Sequence, residues 1–124
     1  MKPQLAFVAY PVSDVSVSRR FYDTVLAVEA RAMSDDWLEY DTAEGVFVIT
    51  QADADHRAPV RGALAAFEVA DIKAEVARLR EHGVVFRGEI VETPVCQFIV
   101  VLDPDESEFL IHQRRPNANA APTI

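Results

Sequence analysis

The sequence predicts an α+β fold: two tandem βαβββ units forming a curved mixed sheet with a concave cup, the helices on its convex side. Three observations carry this. First, the chain repeats itself. Ala9, Tyr10, Val12, Asp14 and Val15 match Ala66, Phe67, Val69, Asp71 and Ile72 at an offset of 57, and Asp41, Phe47 and Val48 match Asp103, Phe109 and Leu110 at an offset of 62. Second, in each half a run of strand-like alternation gives way to helical spacing and then to short strand-like runs. Third, the strand residues sort by parity into one uniformly large, apolar set and one mixed set.

Residues Gln4 to Val12 alternate and are rich in apolar types, which predicts a strand ending at Ser13-Asp14. Ser13 or Asp14 caps a helix from Val15 to Leu26, with Val17, Phe21, Val25 and Leu26 at helical spacing. Strands follow at Glu29 to Met33, Trp37 to Tyr40 and Val46 to Gln51, and the polar stretch Ala52 to Arg61, holding Pro59, reads as a linker. The second half opens with a strand over Leu64 to Val69. Asp71 then caps a helix with Ile72, Val76 and Leu79 inward, and Gly83 stops it after His82. Strands near Val84 to Arg87, Cys96 to Leu102 and Glu108 to Gln113 complete the unit. Asp103-Pro104-Asp105 bends the last hairpin, because Pro presets φ and Asp side chains bond back to the backbone. The expectation is one domain over 1–113, with unit one at about 4–51, a linker at 52–61, unit two at about 62–113, and a loose tail over 114–124.

Parity assigns the faces. Val8, Tyr10, Val12 and their counterparts Ala65, Phe67 and Val69 are expected beneath the helices. The opposite parity, including Phe7, Ala9, Pro11, Val48, Thr50, Leu64, Glu68, Cys96, Phe98, Leu110 and His112, is expected to line the cup. By the 62-residue offset Tyr40 shares the cup parity and Trp37 does not.

Composition narrows the function. A net charge of -8 disfavours nucleic acid and anionic membrane surfaces, which call for a Lys/Arg excess. The single cysteine, Cys96, makes no intrachain disulfide, and no charged-then-apolar leader opens the chain, so a cytoplasmic protein is expected. Four glycines scattered at turns exclude a dinucleotide fingerprint.

The segments Val12-Ser13-Asp14, Phe21-Tyr22, Val25-Leu26, Phe67-Glu68-Val69-Ala70-Asp71-Ile72 and Asp103-Pro104-Asp105, in this order and duplicated, resemble the vicinal oxygen chelate superfamily. That group holds glyoxalase I, extradiol dioxygenases, fosfomycin-inactivating thiol transferases and bleomycin resistance proteins, and the resemblance covers about residues 4 to 113. In metal-dependent members a divalent ion is held by His or Glu at four places, which the resemblance carries onto Phe7, Leu64, Val48 and Leu110. Four hydrocarbons offer such an ion no donor, so no metal or other cofactor is expected. Glu106 also replaces the family's usual Gly after Asp-Pro-Asp.

The resemblance thus implies a metal-independent protein binding a small, partly apolar organic molecule, with Phe7, Tyr40, Val48, Leu64, Cys96, Phe98, Leu110 and His112 as ligand-binding residues. Bleomycin resistance proteins imply a homodimer. The alternative is a metal-dependent or His-assisted lyase, isomerase or thiol transferase with a relocated site, using either a relocated metal or His112 and Glu68 as catalytic acid and base. On the expected register Leu64 lies level with Leu110, so Glu68 faces Arg114 and pairs with it.

Overall fold

Each half folds as its pattern demands, because a strand with one greasy parity needs a helix to cover that side. The computed structural model describes residues 1–2 and 4–116, so most of the expected tail lies outside the described residues. Two compact units result: Met1–Ala63 with Pro104–Ser107, and Leu64–Asp103 with the residues from Glu108 on. The turn 104–107 joins unit 1 through named bonds. Asp105 accepts from the Ser13 amide at 3.0 Å and from its hydroxyl, and the Ser107 hydroxyl accepts from the Val60 amide at 2.7 Å.

Unit 1 contains β1 (Phe7–Pro11), α1 (Val15–Leu26), β2 (Arg31–Ser34), β3 (Trp37–Thr42) and β4 (Gly45–Thr50). Its sheet order is β1-β4-β3-β2, with β1 parallel to β4 and the other pairs antiparallel. Unit 2 repeats this with β5 (Ala65–Glu68), α2 (Ile72–Glu81), β6 (Val85–Glu92), β7 (Cys96–Leu102) and β8 (Glu108–Arg114), ordered β5-β8-β7-β6. The expected α+β fold of two βαβββ units is thus present, each unit contributing one four-stranded mixed sheet. The strand expected over Val84 to Arg87 runs on to Glu92. Gly88 takes φ +87, a conformation open to glycine at little cost, and the ladder resumes past the irregularity at Val91↔Phe98.

The duplication extends to the helix caps. Asp14 accepts from the Val17 amide and Asp71 from the Ala74 amide, both at 3.2 Å. The next free amide in each helix, at Val15 and Ile72, donates at 2.8 Å to Gln51 and Gln113 respectively, one residue beyond β4 and near the end of β8. The helix starts are thereby tied to the sheet, satisfying donors that no intrahelical carbonyl can reach. At the other end of α1, Ala27 sits at φ 57, where a Cβ crowds the following carbonyl. Ala27→Gly is expected to raise stability by about 0.5–1 kcal/mol, read from the urea midpoint.

The core of unit 1 is aromatic. Phe47 packs between Tyr10 and Tyr22, each with ring centroids 5.1 Å away, and near Tyr40 at 6.4 Å. In unit 2 the matching place holds Phe109 edge-on to Phe67 at 5.7 Å, beneath Ile72, Val76 and Leu79 of α2. The parity assignment of Val8, Tyr10 and Phe67 to the helix side holds, since Val8 pairs with Phe47, Tyr10 with Ile49 and Phe67 with Ile111. No helix among the described residues is long and apolar enough to cross a membrane.

Candidate functional site

Tyr40 corrects the sequence expectation. It pairs with Phe47 and is fully buried on the helix side, where its hydroxyl donates to Asp23 at 2.7 Å. Trp37 instead takes the helix-free side. It pairs with Thr50, while Phe98 pairs with His112, so the repeat offset is 61 across β3 and β7 but 62 across β4 and β8. The second hairpin turn carries one more residue, accommodated with Glu106 at φ 65. One residue of slip moves every side chain of a strand to the opposite face.

Burial, then the hydrogen bond to Asp23, pushes the Tyr40 phenol up from its ordinary 10.0. A phenol raised in the folded state contributes stability that is complete below the unfolded value and lost as pH rises past it. Wild-type stability should fall between about pH 9.5 and 11 with a slope of up to about 1.4 kcal/mol per pH unit from this group. Tyr40→Phe should show a shallower fall in urea titrations over that range.

Phe7 and Val48 lie on the helix-free side of unit 1, as expected. Val48 is fully buried beside Ala9 and Glu39, and Phe7 is 47% exposed. In unit 2, Cys96, Phe98, Leu110, His112 and Glu68 share the helix-free side, and Leu64 precedes β5 at 53% exposure. The register differs from expectation by two residues: Ala66, not Leu64, is level with Leu110, and Glu68 is level with His112. Glu68 consequently meets His112 Nδ1 at 2.6 Å through one oxygen, and its other oxygen accepts from the Arg114 amide at 2.7 Å. The expected side-chain pair with Arg114 is replaced by this backbone bond. Partial burial alone raises the Glu68 carboxyl; the Arg114 amide and His112 outweigh it and hold the group below the ordinary carboxylate range.

The hydrocarbon identity of Phe7, Leu64, Val48 and Leu110 leaves the family's ion positions without a lone pair. Among the described residues no three His, Cys, Asp or Glu side chains gather in a geometry able to hold a metal. The residues present do not fit that ion.

Unit 1 carries a cavity of about 710 Å³ between its helix-free sheet face and residues 53–61. Phe7, Ala9 and Pro11 of β1, Trp37 of β3 and Thr50 of β4 form the floor. Trp37 stands edge-on to Phe7, with centroids 5.4 Å apart and planes at 83°. Its indole N–H donates to Glu39 at 2.9 Å, and Glu39 accepts in turn from Arg31 at 3.2 Å. Arg31 also grips Asp41 with two bonds of 2.8 and 2.9 Å, the first cause of the lowered Asp41 carboxyl. Neighbours on both sides thus fix the indole ring.

The wall is the stretch read from sequence as a linker. Asp53 accepts from the Asp55 amide at 2.9 Å and meets His56 Nδ1 at 2.5 Å; the amide first, then the imidazole, hold its carboxyl below the ordinary range. Arg57 Nε donates to the Ala54 carbonyl at 2.9 Å, and the Val60 bond to Ser107 anchors the far end. Of the sequence-predicted ligand residues, Phe7 lines this cavity; the unit 2 residues gather on their own sheet. Sequence reasoning missed Trp37, which a separate offset for β3 recovers, and residues 53–61, which carry no periodic signal that could place them over a sheet.

The sequence model of the Glyoxalase/Bleomycin resistance protein/Dioxygenase superfamily matches residues 4–111. Among solved structures the chain resembles TnmS3, an antibiotic binding protein from Streptomyces sp. CB03234, with 23% identity, TM-score 0.75, and coverage of 93% of this chain and 99% of that one. It also resembles a glyoxalase/bleomycin resistance protein from Albidiferax ferrireducens T118, with 22% identity, TM-score 0.76, and coverage of 90% and 98% respectively. These likenesses establish the fold. No curated protein sequence gives a significant match.

Proposed function

Because the chain belongs to the Glyoxalase/Bleomycin resistance protein/Dioxygenase superfamily, we propose that it binds a small, partly apolar organic molecule without a metal, in the unit 1 cavity floored by Phe7 and Trp37. The observation that carries this reading is the cavity itself: about 710 Å³, within the range of small-molecule sites, with an aromatic floor held by named contacts. Hydrocarbons at the four ion positions support metal independence, and the antibiotic-binding neighbour of the same fold supports the ligand class. Exposed Leu64 and Met33 favour a homodimer, a second copy covering apolar surface, and the lone cysteine suits the cytoplasm.

Trp37 is the only tryptophan, so its emission reports the site directly. A panel of small aromatic compounds should include members that change this emission saturably and raise the unfolding temperature, since a ligand at 100 times its Kd stabilises by about 2.7 kcal/mol. Protein from metal-supplemented medium should hold well under one equivalent of nickel, zinc, iron or manganese. A stoichiometric tightly held ion, or a panel with no saturable member, overturns the reading.

A second reading, acid–base turnover, is favoured by the 2.6 Å contact between Glu68 and His112. With Nδ1 engaged, Nε2 is left to exchange a proton with a substrate. It requires that wild type convert a bound compound to a product seen by mass spectrometry, and that His112→Ala bind it unchanged without conversion.

A further inference from the structure

The cavity's charges narrow the ligand class. Arginine in this chain is normally matched with acid, as twenty Asp and Glu face twelve Lys and Arg. Arg19, Arg31, Arg78, Arg80, Arg87 and Arg115 each lie within ion-pair distance of a carboxylate. Among the described residues Arg20, Arg57, Arg61 and Arg114 have no such pair, and of these four Arg57 and Arg61 line the cavity. Arg57 spends only its Nε, on the Ala54 carbonyl, which fixes the guanidinium while leaving its two terminal nitrogens available. Of the two carboxylates in the lining, Asp53 is engaged by His56 and the Asp55 amide. Asp55 is the counter-charge a ligand would meet.

Resting on the cavity reading above, we infer that the ligand is an aromatic anion: a flat apolar body against Trp37 and Phe7, with a carboxylate, sulfonate or phosphate oxygen pair gripped by Arg57 and Arg61. A guanidinium presents paired N–H donors in a fork matching such oxygens, and a low-dielectric aromatic floor beside it strengthens the attraction. An acidic protein repels anions at long range, but in this cavity Arg57 and Arg61 offset the charges of Asp53 and Asp55, so the local balance is less negative than that of the whole chain.

The test uses three matched quenchers of Trp37 emission: 4-nitrobenzoate, 4-nitrobenzamide and 4-nitrobenzylammonium. The proposal expects saturable binding with the anion at least about tenfold tighter than the amide, and the cation weakest. Arg57→Gln combined with Arg61→Gln should reduce the anion-to-amide ratio to about one while leaving amide affinity in place; unfolding curves confirm that the variant is folded. Asp55→Asn, which removes the opposing charge, should tighten the anion alone. Saturable binding with the amide or cation as tight as the anion overturns the anionic class and leaves the cavity reading standing. A ratio unmoved by both substitutions does the same. Absence of saturable quenching by all three overturns both.

Discussion

Replacing Trp37 by alanine is expected to weaken binding of an aromatic ligand by roughly ten- to a hundredfold while leaving the fold in place. The indole is the largest flat surface of the cavity floor, and its loss removes both contact area and ring stacking. Two further effects act in the same direction. Phe7 loses its edge-on partner and gains rotamer freedom, and Glu39 loses the N–H that holds one of its oxygens. The stability cost should be modest, about 1–2 kcal/mol, because the ring is only half-buried and lies on the side of the sheet away from α1. Calorimetric titration measures the affinity, as the variant lacks the fluorophore. A change within about threefold would place the ligand elsewhere.

The largest stability loss is expected from Phe47→Ala. Phe47 is 2% exposed and touches three tyrosines, so its removal leaves a ring-sized hole that Tyr10 and Tyr22, fixed on β1 and α1, are poorly able to fill. The expected cost is about 3–5 kcal/mol, a large share of the roughly 5–15 kcal/mol that holds an ordinary domain together. Phe109→Ala tests the same place in unit 2, where Phe109 is fully buried against Phe67. Urea unfolding of the two variants measures both losses. If Phe47→Ala costs less than about 1.5 kcal/mol, Phe47 is not the packed centre of unit 1.

Neither variant touches the machinery of the other, because sheet parity separates them. Phe47 faces α1, whereas Trp37 is on the opposite side of the same sheet. A lesion on the helix side should lower stability with little change in affinity, and one on the helix-free side the reverse.

The residues by themselves determined the duplicated βαβββ order, the cap at Asp71, a cap at Ser13 or Asp14 that the structure places on Asp14, the α1 limits and the two faces of β1, β4, β5, β7 and β8. These depend on local rules: a period of two or 3.6, and a short polar side chain that can reach a free amide. They also determined that Phe7, Val48, Leu64 and Leu110 offer no donors, since that is a matter of identity alone. Tertiary structure decided what depends on partners far along the chain. The turn before β8 has one more residue than its counterpart before β4, and this put Trp37 rather than Tyr40 on the helix-free face. The pairing of β5 with β8 brought Glu68 to His112, two residues from where counting placed it. Residues 53–61 became a cavity wall through Ser107, which lies 47 residues beyond Val60 in the chain. A one-dimensional pattern records which side chains share a face, but the level at which two strands meet, and where a structureless segment settles, are set by contacts that form only when the chain has folded.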